Sequence, residues 1–287
     1  MKPATEPDGT IHQEAITRLT KDLKAAITTL TPAEVRYLVD TYYTFQENRK
    51  VADNQIRALS TSGEPHRVID WLSNNCTYLE RQVKAALLAY AESKLMGTWS
   101  MSNFGVGPII TAGFLAHFDI TKAPTYGHYW SYAGLTTGFN MPVQWKKGEK
   151  RPWNASLKRL AWILSDCFVK FSGNEKCFYG QQYLEYKQKL VEKNERREFA
   201  AACEDGVKRM RRPDSKALAC YKDGKLPPAH VENRARRWVS KLFIAHYWTE
   251  EYRQTYHKNP SEIYPVTHLG HAHVINSPVP SLAIMGE

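Results

Sequence analysis

Three sets of residues in this 287-residue chain have types and spacing suited to chemistry. The first is the pair of glycines in Asn103-Phe104-Gly105-Val106-Gly107-Pro108, followed by an apolar run to Phe118 with helical spacing. Glycines let a backbone turn tightly and approach a ligand with no Cβ in the way. Proline suits the first position of a helix, and the first amides of a helix have no partner within it. A helix starting at Pro108 therefore offers donors and the positive end of its dipole to the bend. A sugar-phosphate strand fits there whatever its bases, with Thr111 in the first helical turn as a further donor. The second set is cationic: Lys146, Lys147, Lys150, Arg151, Lys158 and Arg159, then Arg234, Arg236, Arg237 and Lys241. Such groups position a phosphate backbone rather than read bases. Arg237, beside Trp238, has the alternative of laying its stem on the indole. The third set is His268, His271 and His273, whose neutral imidazoles are spaced to reach one metal ion.

No carboxylate or cysteine cluster accompanies those histidines, so a packed loop is the simpler reading and no metal or other cofactor is expected. Asp119, Asp166 and Glu175 are scattered, whereas metal-dependent cleavage of phosphodiesters needs carboxylates converging on paired ions. No Gly-Lys-Ser/Thr follows the glycines, which argues against a nucleoside-triphosphate loop. The five cysteines are an odd number without a C-x-x-C pair and read as reduced thiols of a cytoplasmic protein. No apolar run is long enough to span a bilayer, and the first residues are polar, so neither a membrane span nor a signal peptide is expected.

The net charge of +10 is unevenly placed. Residues 1–144 hold 13 basic and 13 acidic side chains, residues 145–258 hold 26 against 14, and residues 259–287 hold none against two. A local excess of this size attracts polyanions and releases their counterions on contact. A basic surface kept for solubility is the competing account.

The elements that carry these groups read as helices. Thr31-Pro32-Ala33-Glu34 has the form of a capping box with proline at the first helical position. Val35, Leu38, Tyr42, Phe45, Arg49, Ala52, Ile56 and Leu59 then follow at steps of three and four, as do Leu72, Cys76, Leu79, Val83, Ala86 and Tyr90 after a turn at Ser62–Pro65. Two such runs predict an antiparallel coiled-coil arm, which could also join two copies as a homodimer. Further helices are expected over residues 108–118, 154–171 and 230–256, with a long polar helix or helix pair over 180–212. The proline-bearing tail from about Asn259 is expected as an extended strap. The aromatics from Tyr126 to Phe139 fill a core or stack on unpaired bases. The predicted fold class is all-α, organised as an N-terminal segment and arm (1–95), a helix-hairpin-helix core (96–175), and a basic helical region with its strap (176–287).

Residues from about 66 to 171 resemble the C-terminal helix-hairpin-helix domain of the bridge-RNA-guided insertion-sequence transposases. The likeness rests on NFGVGPIITAGFLAHFDI, then YWSYAGL with Tyr132-Ala133-Gly134-Leu135, then NASLKRLAWIL, in which Asn154, Leu157 and Lys158 approximate the family's "N-x-x-L-R". It implies a nucleic-acid-binding scaffold behind a coiled coil. The chain departs from the family in two respects. No room is expected for the RNase-H-like domain with its four metal-holding carboxylates. The stretch after the "A-G-L" block, TTGFNMPVQWKKGEKRPW, lacks the serine on which the family depends. Thr136 and Thr137 are poor replacements for it, and Ser156 belongs to the next helix. The expectation is thus a non-catalytic module in DNA transactions, binding DNA or structured RNA. The alternatives are an active recombinase or nuclease component and a coiled-coil interaction adaptor.

Overall fold

The computed structural model describes residues 19–63, 67–136, 148–210, 212, 214–260 and 275–283. Lys146, Lys147, Thr137 and the three histidines His268, His271 and His273 lie outside the described residues. The protein is all-helical, with no strand among the described residues, and it forms two compact units, Met1–Ser93 and Lys94–Glu287.

In the first unit, α1 (Lys21–Ile27) packs on α3 (Arg67–Glu92), and α2 (Pro32–Thr61) runs along α3. The start of α2 is fixed by its cap: Thr31 Oγ1 accepts from the Glu34 amide, and the Thr31 amide donates to the Glu34 carboxylate at 2.7 Å. The two long helices are antiparallel, since Gln46 and Arg49 reach Glu80 while Asp53 reaches Ser73. Arg49, the polar intruder in the apolar spacing, bridges the pair by donating to Glu80 at 2.7 Å and Asp53 at 3.2 Å. Val35 and Ala52 are buried at the seam, as expected. Leu72 is not: it is 46% exposed, and Ser73 takes the inner position because its hydroxyl donates to Asp53.

The second unit comprises α4 (Leu95–Met101), α5 (Pro108–His117), a 3-10 turn (Ile120–Lys122), α6 (Tyr126–Tyr132), α7 (Ala155–Lys170), α8 (Phe178–Glu195), α9 (Ala200–Arg209), α10 (Lys216–Lys222) and α11 (Pro228–Tyr256). The expected regions 96–175 and 176–287 share one core, because α11 packs on α4, α6, α7 and α8. Phe243 of α11 lies at its centre, in ring contact with Trp99, Phe114, Phe168, Tyr179 and Tyr247. Helix α5 is apolar all round, so it is enclosed; Gly113 lets it cross α7 closely, since a Cβ there would stand 2.5 Å from Leu160 Cδ1. The polar stretch 180–212 is two helices, α8 and α9, with Arg197 at φ 58° between them. Residues 275–283 lie against α11, with His246 donating to the Ile275 carbonyl at 2.7 Å and the Leu282 amide donating to Glu250 at 2.8 Å.

Candidate functional site

Adjacent residues on a helix point about 100° apart, so the four late cations cannot share one face. Arg234, Arg237, Trp238 and Lys241 form a stripe at i, i+3, i+4 and i+7, opposite the buried Ala235, Val239 and Phe243. The stripe lines a cleft of ≈ 550 Å³ between α11, Tyr186 of α8, and α9 with Tyr221 of α10. Tyr186 and Trp238 stack in parallel there, with ring centres 4.2 Å apart and planes 7° apart.

Two cations of the stripe, Lys241 and Arg234, rest on aromatic rings. Lys241 Nζ stands 4.1 Å above Trp130, whose indole N–H donates to the Lys241 carbonyl at 2.9 Å. The Arg234 guanidinium lies 4.8 Å from Phe199. Lys158, at the start of α7, stands 4.3 Å above Trp153. Trp153 is seated by Gly134, whose φ of +64° suits glycine and whose missing Cβ would stand 2.8 Å from the indole. Asn154 locks this corner: its side chain accepts from the Leu157 amide at 2.9 Å as the cap of α7 and donates to the Tyr132 hydroxyl at 3.0 Å. The "A-G-L" and "N-x-x-L" segments therefore work together, one seating the indole that the other places under Lys158.

The electrostatics of this cluster are unrelieved. Burial and the neighbouring Arg237 hold the Lys241 ammonium below its usual range. Burial and Arg234 do the same to Arg237, and burial, Arg237 and Arg151 to Lys158. His230, at the same cleft, is pushed down by burial, Arg234 and Arg237. Each cause acts against the charged form. Among the described residues Lys158, Arg234, Arg237 and Lys241 make no ion pair. Asp205, the carboxylate that lines the cleft, faces Arg209 at 3.9 Å with both side chains largely exposed.

Arg236 has a different job. Turned away from the stripe, it donates to Glu232 at 2.8 Å and to Asp166 at 3.0 Å, with its guanidinium over Trp162. Burial on its own pushes Glu232 up, but hydrogen bonds from Lys187, Tyr183 and Arg236 bring it down to about 2. Asp166 also holds Lys170 at 2.6 Å. Arg236 is thus a tie between α7 and α11 and, contrary to expectation, contributes no charge to the stripe.

The glycine bend is half-buried. Gly105, with φ +92°, lies against Phe168, Phe171 and Cys177, while Gly107 has open space where a Cβ would be. Thr111 is fully buried, its hydroxyl 3.1 Å from that of Ser100, so it presents no donor at the surface. The bend packs at the Phe168 end of α7, and Lys158 stands ten residues away at the other end, about 15 Å along the axis. Lys150, Arg151 and Arg159 are exposed near that far end. The bend and the cations are consequently separate features.

Asp119 caps the 3-10 turn, accepting from the Thr121 amide at 3.1 Å, and pairs with Lys122 at 2.6 Å. Among the described residues no three His, Cys, Asp or Glu side chains stand together as a metal would require, and the five cysteines are free thiols. No helix of the described residues is long and apolar enough to cross a membrane. Sequence reading overlooked Trp130, Trp153 and Tyr186 as parts of the cationic face. Tyr179, Tyr183 and Tyr186 recur at steps of four and three on an otherwise polar helix, and that aromatic stripe was the available signal.

Compared with known proteins, the chain matches no family model, no curated protein and no solved structure.

Proposed function

We propose that this protein binds nucleic acid through phosphate contacts at the cations that α7 and α11 bring together. The observation that carries the reading is the crowding of Lys158, Arg234, Arg237 and Lys241, each facing a like charge and none paired with a carboxylate among the described residues. A fold does not retain such repulsion for stability; it is relieved when a polyanion enters and its counterions leave. Lys150, Arg151 and Arg159 extend the same field outward. The resemblance of residues 66 to 171 to a transposase domain favours DNA over structured RNA and supports a non-catalytic module in DNA transactions.

The test is a salt titration of affinity for a fluorescein-labelled oligonucleotide, read by anisotropy. A strong negative slope of log K against log salt is expected. Lys158→Gln and Arg237→Gln are each expected to reduce that slope by about 0.7–0.9, the equivalent of one phosphate contact. Lys50→Gln, on exposed α2, serves as the control. A slope near zero, or charge variants that leave it intact, overturns the reading.

A further inference from the structure

The cations of α11 line a recess. Arg234, Arg237 and Lys241 form one wall of the ≈ 550 Å³ cleft and α9 forms the other. That volume is typical of sites that enclose a small ligand. A duplex carries its phosphates on the outside of a broad cylinder, whereas the cations and rings here line the walls of a recess that is open to solvent on one side, a setting suited to bases that are not already paired.

The aromatics point the same way. Tyr186 and Trp238 stack on each other with ring centres 4.2 Å apart, and both line the cleft beside the cations, so a further ring extends the stack from an outer face of the pair. Trp238 falls between Arg234 and Arg237 on one side and Lys241 on the other, so phosphate-binding groups flank a stacking surface over about 10 Å of helix. Alternating plates and cations are how proteins hold unpaired strands, since every base has a π-face to stack. On the opposite wall Gly206 lets the Tyr221 ring pack closely on α9, since the ring would stand 2.7 Å from a Cβ there. Arg209, loosely held by Asp205, supplies a further cation at the rim.

We infer that this cleft receives an unpaired nucleotide within a single-stranded segment of nucleic acid, with its base continuing the Tyr186–Trp238 stack and its flanking phosphates on Arg234, Arg237 and Lys241. The inference rests on the nucleic-acid reading above and narrows it to a strand class.

Four labelled probes test it on the full chain: a 12-nucleotide single strand, a blunt duplex of the same sequence, that duplex with a six-nucleotide 3′ overhang, and a mononucleotide. The single strand and the overhang are expected to bind at least tenfold tighter than the blunt duplex, and the mononucleotide more weakly than the strand. Trp238→Leu and, independently, Tyr186→Leu are expected to remove that preference, while Trp238→Phe retains most of it. Circular dichroism identifies any variant that fails to fold, and the Tyr186 and Trp238 substitutions sit on different helices, so one readable variant suffices. A blunt duplex bound as tightly as the strand, a mononucleotide bound equally well, or a preference that survives in a folded leucine variant overturns this inference and leaves the broader reading intact. No binding to any probe overturns the broader reading itself.

Discussion

At the scale of single residues, Arg236 and Arg237 show how little sequence position reveals about a side chain's job. They are neighbours of one type, and the one distinction the sequence offers, Trp238 beside Arg237, points to Arg237 rather than Arg236 as the structural residue. The helix turns them about 100° apart, so Arg236 meets Asp166 and Glu232 while Arg237 meets Arg234 and burial. Their substitutions should therefore move stability in opposite directions. Arg236→Ala leaves two partly buried carboxylates short of a partner and is expected to cost about 1–3 kcal/mol, seen as a fall of several degrees in Tm. Arg237→Gln relieves a like-charge contact and is expected to raise Tm by roughly 1 °C at low salt, with the gain fading as salt is added. A loss of Tm from Arg237→Gln comparable to that from Arg236→Ala contradicts the repulsion on which the site is built.

At the scale of elements, the helices and their caps were legible because they depend on local chemistry. The capping box at Thr31 and Glu34, the helix expected over 154–171 and the start of α5 at Pro108 all stand where the residue types placed them, with Asn154 serving as the cap of α7. Facing was less legible, because it depends on what packs against an element. Thr111 turned inward to Ser100, and the bend seated Gly105 on Phe168 and Phe171 instead of beside the cations. Two glycine substitutions weigh bend against corner. Gly134→Ala forces a side chain into φ +64° and against Trp153, and is expected to cost about 1–3 kcal/mol and to weaken nucleic-acid binding by displacing the indole under Lys158. Gly107→Ala, with open space and an ordinary φ of −96°, is expected to change stability by under about 0.5 kcal/mol and binding not at all. Anisotropy titrations of both variants check this pair of outcomes, and a loss of affinity in Gly107→Ala alone returns the phosphate contact to the bend.

At the scale of the molecule, the charge excess of residues 145–258 was visible in composition, but how it is spent was not. Part of it is paired with carboxylates, as at Lys170, Lys187, Arg197, Lys225 and Arg236, while Lys158, Arg234, Arg237 and Lys241 crowd together where α7 and α11 converge. Helix α11 also carries two half-buried titrating groups of opposite sense. Burial, with Asp119 beyond, raises the Glu251 carboxyl from 4.5 to about 7, despite the hydrogen bond it accepts from Tyr129 at 2.6 Å. Burial, with Arg253 nearby, lowers His246 from 6.5 to about 4, against the hydrogen bond it donates to Ile275. Between pH 4.5 and 7 the folded state keeps a proton on Glu251 that the unfolded chain has lost, so this group makes stability fall as pH rises. Between pH 4 and 6.5 the unfolded chain binds a proton on His246 that the folded state refuses, so stability rises with pH, and His230, also held low, acts in the same sense. The slopes of Glu251 and His246, each at most about 1.4 kcal/mol per pH unit, should cancel across their overlap, from pH 4.5 to 6.5, and leave the rise that His230 contributes. Glu251→Gln removes one of them. Relative to the wild type, its Tm is expected to climb by on the order of 5 °C between pH 4.5 and 7 and to hold level above that range. Thermal melts of the two proteins at half-unit pH steps measure this difference directly, and parallel curves show that Glu251 ionises as an ordinary surface carboxylate.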